Sequence, residues 1–342
     1  MKNPYSLVFG VEPSEYISRI SQTNRVVDDL LEDNQRLFMV TGVRGSGKTV
    51  FMTEIKNQFK EKKDWEVIEL STERDMLNGL VSKLSSKDKL TDMFRSAKIN
   101  LSILGFGFEI SGTTPIADME VALFKMLETM NKHNKKLLVV VDEAIDNKNV
   151  REFASVFQIM IRDELPIYLL MTGLYENIDD LQNEKNLTFL HRAPKVNLVP
   201  LNIGTMADSY RRILKVDEDT SIEMAQLTKG YPYAFQVLGY CTWEKGVHYT
   251  EVITEFKQYL EEYVYDKIWS ELSEKDKKIV YGISQVPSGK IKDIREKLGL
   301  SSNEFTPYKR RLVRKGVIGD DSGYARFALP LFDKFVKENY IK

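Results

Sequence analysis

A glycine-rich segment of eight residues carries the clearest chemical signal in the sequence. Residues 42–49 read Gly-Val-Arg-Gly-Ser-Gly-Lys-Thr and match the pattern G-x-x-x-x-G-K-[ST] in full. Because glycines leave the backbone uncrowded, several N–H groups can converge on phosphate oxygens. We therefore predict a phosphate-binding loop. Its predicted ligand-contacting residues are Gly42, Val43, Arg44, Gly45, Ser46, Gly47, Lys48, Thr49 and Val50.

Two side chains at the end of this loop have separate predicted roles. We expect Lys48 to neutralise the β- and γ-phosphates of a triphosphate and Thr49 to offer its hydroxyl to Mg²⁺. The N-terminus of the next helix favours the same anion. ATP and Mg²⁺ are the predicted ligands, and a chance match to the pattern is the competing interpretation.

Two carboxylates follow an apolar run. Residues 137–141 read Leu-Leu-Val-Val-Val and lead into Asp142 and Glu143. A buried strand that ends in acids predicts that Asp142 holds Mg²⁺ and that Glu143 orients and deprotonates the attacking water. The second acid favours hydrolysis over transfer to another substrate. The alternative is that Asp142 caps a helix and Glu143 is only solvated.

Other chemistries have less support. The two strings closest to the guanine-reading pattern N-K-x-D, at 131–134 and 147–150, lack its aspartate. A small-molecule kinase stays open on the phosphate loop alone, although the Asp-Glu pair argues against it. A single cysteine and three scattered histidines provide no metal-binding pattern, so we expect no metal held by protein side chains alone.

Alternating strands and helices must position these residues. Apolar segments predict strands at 36–41, 66–70, 137–141, 166–172 and 195–198, with helical patterns between them, the first at about 50–59. This order predicts an α/β fold with a parallel sheet. Residues 99–110, rich in Ile, Leu, Phe and Gly, are compatible with an inserted β-hairpin.

Beyond residue 201 the strand patterns stop. Helical patterns at 206–214, 222–227, 232–243 and 252–269 predict a small helical lid, and a different arrangement of helices and a turn begins at 273. We predict a P-loop NTPase core over 1–200, a lid over 201–270 and a third domain over 273–342.

The motifs together resemble the AAA+/STAND superfamily, and specifically its archaeal-type ATPase group, which includes relatives of origin-recognition ATPases. The resemblance rests on both motifs above, on residues 169–173 (Leu-Leu-Met-Thr-Gly) and on residues 188–192 (Thr-Phe-Leu-His-Arg) before the fifth strand. It implies that Thr172 is sensor 1 and that Arg192 is an arginine finger, a residue that a neighbouring subunit often receives. Action in trans would require self-association, on which the sequence leaves both outcomes open. The plain alternatives are a buried hydroxyl and a surface arginine.

A second resemblance concerns the lid. Residues 229–233 (Lys-Gly-Tyr-Pro-Tyr) are similar to the G-x-P motif of STAND ATPases, which implies that Pro232 lies against the nucleotide. Otherwise Pro232 simply starts a helix. Residues 230–247 contain no arginine for a sensor 2 role, so we expect slow turnover. Residues 4–10 resemble the segment that packs by adenine in these families, although a plain hydrophobic anchor is the favoured interpretation.

The last 70 residues are basic, although the net charge of the whole chain is −1. Residues 273–342 carry 16 Lys and Arg against 9 Asp and Glu, and they resemble a winged helix-turn-helix over their whole length. Phe305, Tyr308 and Leu312 are expected to face inward on the third helix. The predicted contacts to duplex DNA on its outer face are Lys309, Arg310, Arg311, Arg314 and Lys315.

Two functional hypotheses follow. The first is an ATP-dependent DNA-binding protein that hydrolyses ATP slowly. The second is a nucleotide switch whose winged helix docks a protein, which the missing sensor 2 arginine and the G-x-P motif favour. Asp320 and Asp321 at the predicted wing tip repel phosphate and so count against DNA binding. Apolar runs far shorter than a bilayer span and an N-terminus without a signal core predict a cytoplasmic location with no membrane contact.

Overall fold

The computed structural model describes residues 2–8, 13–105, 113–319 and 321–340. It divides into two compact units. The sheet unit comprises Ile20–Thr41 and Lys48–Asn197, and the helical unit comprises Met1–Arg19, Gly42–Gly47 and Leu198–Lys342. Each unit has its own hydrophobic core. The three domain boundaries predicted from the sequence stay predictions.

Five parallel strands form the centre of the sheet unit. They are β1 (Leu37–Thr41), β2 (Trp65–Leu70), β3 (Lys136–Val141), β4 (Ile167–Gly173) and β5 (Lys195–Asn197), in the order β2-β3-β4-β1-β5. The α/β prediction is confirmed. Every residue of β1 and β4 is buried, as expected for strands covered on both faces.

The register brings the carboxyl ends of three strands to one edge of the sheet. Thr41 of β1 lies opposite Gly173 of β4, and Val141 of β3 lies opposite Met171 of β4. Side chains that follow or end these strands are therefore neighbours, although they are far apart in the sequence.

Helices cover the sheet within the same unit. They are α1 (Ile20–Leu31), α2 (Lys48–Lys60), α3 (Met76–Ser85), α4 (Asp88–Ser96), α5 (Met119–Lys132), α6 (Lys148–Arg162) and α7 (Tyr175–Asn183). The inserted hairpin is not found in the described part of 99–110, where Ser102–Leu104 form a 3-10 helix. Residues 106–110 lie outside the described residues.

The helical unit contains nine further α-helices among its described residues. They are α8 (Ile203–Leu214), α9 (Glu218–Leu227), α10 (Pro232–Lys245), α11 (Ile253–Leu260), α12 (Asp266–Ser270), α13 (Glu274–Ser284), α14 (Ile291–Leu298), α15 (Ser302–Arg314) and α16 (Phe332–Asn339). A π-helical stretch, Glu261–Tyr265, joins α11 to α12. Within the described ranges, every helix is too short or too polar to span a lipid bilayer.

Local sequence explains where the C-terminal helices begin and end. Gly299 ends α14 in the left-handed region at φ +66°, and Ser301 with Glu304 forms a reciprocal capping box at the start of α15. Two isolated antiparallel bridges, Lys290 with Tyr324 and Ile318 with Phe327, follow. Residue 320, in the predicted wing turn, lies outside the described residues. The winged helix therefore stays a prediction.

Candidate nucleotide-binding site

The loop backbone suits glycine at three positions: Gly42 and Gly47, which belong to the pattern, and Gly45, which occupies one of its variable positions. Gly45 and Gly47 adopt φ values of +69° and +83°, in the left-handed region that other residues rarely enter. At Gly42 a Cβ would lie 2.3 Å from Oγ of Ser46. The positive φ of Gly45 and Gly47 therefore favours glycine there, and the close approach of Ser46 leaves little room for a side chain at Gly42.

Protein donors bind the carbonyl groups of the loop. The hydroxyl of Tyr231 donates to the Arg44 carbonyl at 2.6 Å, and the Arg19 guanidinium donates to the Ser46 carbonyl at 2.9 Å. In a trans peptide the N–H of the next residue points away from the carbonyl. The N–H groups of Gly45 and Gly47 therefore face away from these donors, as a phosphate cradle requires.

Pro232 lies against this loop within the helical unit. It is the first residue of α10, and a Cβ at Gly47 would lie 3.8 Å from its ring carbons. The neighbouring Tyr231 is buried, and burial raises the pKa of its hydroxyl far above the usual range, so it stays a donor to the loop. Contact between Pro232 and a nucleotide stays a prediction.

In the sheet unit, the Asp142 carboxylate lies between two threonine hydroxyls. Thr49, in the first turn of α2, donates to Oδ2 at 2.7 Å, and Thr172, near the end of β4, donates to Oδ1. Thr172 is fully buried, so its hydroxyl cannot turn to solvent. The parallel register brings these three predicted residues together and fixes the orientation of the carboxylate.

This cluster fits Mg²⁺. The Thr49 hydroxyl and the Asp142 carboxylate are oxygen donors, the ligand type that Mg²⁺ prefers, and Mg²⁺ usually takes only one or two protein ligands besides phosphates and waters. Across the described residues, no group of three or more His, Cys, Asp or Glu side chains could hold a metal. The chain therefore supplies two oxygen ligands, and phosphates and waters would complete the coordination of the metal.

Glu143 adopts an unusual backbone conformation. Its φ is +51°, which costs a non-glycine residue on the order of 1 kcal/mol or more and often marks a functional position. Its N–H donates to Oδ1 of Asp142 at 3.0 Å, and the N–H of Ala144 donates to the Thr172 carbonyl at 2.7 Å. These bonds hold the exposed Glu143 directly beside Asp142.

Comparisons with known proteins agree with this geometry. A family profile described as an AAA domain matches residues 21–161, and a Domain of unknown function (DUF8462) matches residues 262–336. No curated protein matches the sequence.

Solved structures extend the likeness along the chain. The Walker-type ATPase of Pyrococcus abyssi is 16% identical with a TM-score of 0.65, over 94% of this chain and 96% of that one. The Aeropyrum pernix ORC2 protein, solved with ADPNP and ADP, is 12% identical with a TM-score of 0.58, over 98% of both chains. This chain therefore has the P-loop fold of AAA+ ATPases, and its residues 21–161 match the AAA domain family.

The resemblance placed Arg192 at the arginine-finger position of AAA+ proteins. It ends a 3-10 helix, Thr188–Arg192, and is exposed. Its side chain forms no hydrogen bond or ion pair with any residue in the described ranges. Its action on a second subunit stays a prediction. Of the adenine-side segment 4–10, residues 9 and 10 lie outside the described residues.

The basic residues of α15 have unequal surroundings. Arg311 donates to the buried Asp276 carboxylate at 3.0 Å, and its guanidinium lies 5.0 Å from the centre of the Tyr308 ring. Among the predicted DNA contacts, two lysines donate to backbone carbonyls, Lys309 to that of Asp321 and Lys315 to that of Glu271, each at 3.2 Å. Arg310 and Arg314 are the exposed members of the set.

Sequence reasoning missed several residues that shape the loop. Tyr231 was noted only as part of the G-x-P segment, and Arg19 gave no signal because its partners lie 27 and 180 residues away. Glu271 also gave no signal, yet it pairs with Arg44 of the loop at 2.9 Å. A tyrosine at the middle position of the G-x-P motif could have been proposed as a loop anchor.

Proposed function

We propose that this chain binds ATP with Mg²⁺ and hydrolyses it slowly, and that nucleotide state controls DNA binding by residues 273–342. One observation carries the proposal: the Asp142 carboxylate receives hydrogen bonds from Thr49, in the phosphate-binding motif, and from Thr172. The complex of ORC2 from Aeropyrum pernix with ADPNP and ADP supports the nucleotide part, since the two folds are similar.

Each residue of the motif has a defined task in this proposal. Backbone N–H groups of residues 42–49 and the Lys48 ammonium bind the phosphates, while Thr49 and Asp142 hold the metal. When bound, Mg²⁺ neutralises charge on the phosphates. The Glu143 carboxylate takes the proton of the attacking water, and Thr172 keeps Asp142 oriented, because positioning and charge stabilisation dominate phosphoryl transfer.

Contacts within the helical unit connect the phosphate-binding loop to residues in and next to the segment 273–342. Arg44 of the loop pairs with Glu271 at 2.9 Å, and a Cβ at Gly316 would lie only 1.8 Å from Cγ1 of Val43, so these residues are in close contact. The Lys229 ammonium, beside the G-x-P motif, donates to the Phe327 carbonyl at 2.9 Å. A change in the loop on nucleotide binding therefore acts directly on residues flanking α13 to α15.

Hydrolysis is tested with two variants. Lys48→Ala is expected to lose ATP binding and turnover together, whereas Glu143→Gln keeps binding and loses on the order of 100-fold or more in kcat, the size of a general-base contribution. Phosphate release is measured with Mg²⁺ and ATP. Turnover that is unchanged in Lys48→Ala overturns the catalytic part of the proposal.

DNA binding is tested on the exposed arginines of α15. The double variant Arg310→Ala with Arg314→Ala is expected to weaken duplex binding and to reduce the slope of log affinity against log salt by about 2. The control pair, Lys334→Ala with Lys337→Ala, removes two exposed charges from α16 and should leave both quantities unchanged. Equal effects of the two variants reject the DNA part.

A second function is favoured by the surroundings of α15. Because Arg311, Lys309 and Lys315 already have intramolecular partners, the same face suits a nucleotide switch that docks a protein. Nucleotide that copurifies, nearly absent turnover and no duplex binding would together select this function.

The proposal includes self-association because Arg192 would act on the nucleotide site of a neighbouring subunit. If Arg192 acts on a neighbouring subunit, specific ATPase activity should rise with protein concentration in the wild type and stay flat in Arg192→Ala. Activity independent of concentration in both proteins excludes a role in trans.

A further inference from the structure

A cationic groove lies at the amino ends of two strands of the sheet unit. It has a volume of about 600 Å³ and opens where β2 begins. Its lining carries six lysines against two glutamates, a formal balance of 6 − 2 = +4. The lysines are Lys60, Lys62, Lys63, Lys87, Lys89 and Lys135.

Three separated segments supply these charges. They come from the end of α2 and the loop after it, from the start of α4, and from the residue before β3. Lys87 pairs with Glu66 at 2.6 Å, and the Lys135 ammonium donates to the Lys63 carbonyl. Lys63 and Lys89 are exposed, so their charges are available to a ligand.

The groove suits a charged ligand rather than an additional β-strand that pairs with the sheet edge. β2 is an edge strand, but Lys83 donates to the Glu69 carbonyl at 2.6 Å on that strand, and Lys87 also approaches the Val67 carbonyl. Lysines at an edge oppose pairing with another strand.

The groove also lacks the anchor that a protein partner needs. Its aromatic member, Trp65, is only 4% exposed, and protein interfaces depend on apolar or aromatic side chains that enter the partner. Lysines spread over an open groove instead match a chain of phosphates, which needs spaced positive charges and no base contacts.

The groove is distinct from the Asp142 cluster. Trp65 begins β2 opposite Lys136, which begins β3, whereas Asp142 follows the other end of β3. A strand of six residues spans about 20 Å. We infer that this groove binds the phosphate backbone of a nucleic acid, independently of residues 273–342 and of nucleotide at the phosphate loop.

The test uses full-length protein carrying Arg310→Ala and Arg314→Ala, so that α15 contributes little to binding. Into this background we place either Lys63→Glu with Lys89→Glu, or the control pair Lys125→Glu with Lys185→Glu, two exposed lysines elsewhere in the sheet unit. Both pairs change the net charge by −4. Thermal melting checks that the variants fold, since exposed positions usually change stability by less than about 0.5 kcal/mol.

The probes are a fluorescein-labelled DNA duplex and a single strand of the same sequence. The groove variant should bind at least one probe about tenfold more weakly than the control, with the salt slope reduced by about 2. Equal binding by both variants overturns the inference, as does a groove that binds polyglutamate but neither DNA. An unchanged affinity in the arginine background itself would reject only DNA binding by α15.

Discussion

At the scale of single residues, the Asp142 carboxylate has both oxygens engaged by threonine hydroxyls. A carboxylate held at both oxygens cannot rotate freely, and it presents a fixed edge to a metal. Thr49 and Asp142 were predicted because a phosphate loop and a strand ending in acids have characteristic patterns, whereas Thr172 was implied only by the family resemblance. Their mutual hydrogen bonds follow from the sheet register.

Replacing Thr172 distinguishes the orientation of the Asp142 carboxylate from the binding of ATP. Thr172→Val keeps the buried shape but removes the donor to Asp142. Losing a hydrogen bond to a charged group costs about 1.5–3 kcal/mol, so we expect kcat to fall roughly 10- to 100-fold with ATP affinity nearly kept. Thr172→Ser retains the hydroxyl and should recover most of the rate. A Thr172→Val enzyme as fast as the wild type contradicts this role.

The single cysteine provides a test of burial in α10. Cys241 is 1% exposed, and burial raises the pKa of its thiol to about 12. A raised pKa keeps the thiol protonated at about pH 8.5 in the folded chain, while the unfolded thiol is partly ionised there. We expect no reaction with Ellman's reagent in native buffer and one thiol per chain in denaturant. Rapid native labelling contradicts the packing.

Some residue contacts could not be predicted. Arg311 was expected on the outer face of its helix, but it pairs with Asp276, 35 residues earlier. That pairing depends on how α13 packs against α15, which spacing within one helix does not report. The left-handed backbone of Glu143 was equally invisible, since its side chain type gives no indication of it.

At the scale of elements, the phosphate loop is fixed by both its glycines and the helical segment packed on it. Gly45 has φ +69°, and a Cβ there would lie 2.2 Å from the Tyr231 hydroxyl oxygen. Gly299, at the end of α14, has a similar φ of +66° but has open space around its Cα. Substitutions at Gly45 and Gly299 can therefore be compared to distinguish the effect of backbone strain from that of steric conflict.

We expect Gly45→Ala to damage the protein more than Gly299→Ala. The control change costs about 1 kcal/mol from strain alone and should leave ATP affinity intact. Gly45→Ala has the same strain and also displaces Tyr231, so ATP affinity should fall more than tenfold and the thermal midpoint should fall further. Measurements are thermal melting and titration with a fluorescent ATP analogue. Similar ATP affinities in the two variants contradict the predicted crowding.

The sequence predicted elements well where apolar runs were continuous. All five strands lie within one or two residues of their predicted positions, and β1, β3 and β4 are the nearly continuous apolar runs that buried parallel strands need. The 3-10 helix at Ser102–Leu104 was missed, since an apolar segment with glycines fits a hairpin equally well. The cationic groove was also missed, because its charges come from three segments that are far apart in the sequence.

At the scale of the whole molecule, coupling between nucleotide and DNA depends on contacts inside the helical unit. The Arg44–Glu271 pair is about one-third exposed on each side, so we expect it to add little to stability. Its value would lie in transmitting a change, since it joins the phosphate loop to the segment before α13.

A charge swap tests this coupling. We expect Mg²⁺ with a nonhydrolysable ATP analogue to change duplex affinity of the wild type by about 5-fold or more, the usual range for linked sites. Arg44→Glu alone should bring the ratio of duplex affinities with and without the ATP analogue towards 1. Arg44→Glu with Glu271→Arg should restore part of the original ratio. Fluorescence anisotropy gives both affinities. A ratio unaffected by Arg44→Glu contradicts transmission through this pair.

The most direct test of the account is calorimetric titration of the wild type and Lys48→Ala with a nonhydrolysable ATP analogue, with and without Mg²⁺. We predict binding near one nucleotide per wild-type chain, strengthened by Mg²⁺, with affinity at least about tenfold weaker in Lys48→Ala, because one phosphate-neutralising charge is lost. Equal affinities for the two proteins, or a wild type that binds no nucleotide, would contradict the assignment of residues 42–49 as the phosphate-binding loop.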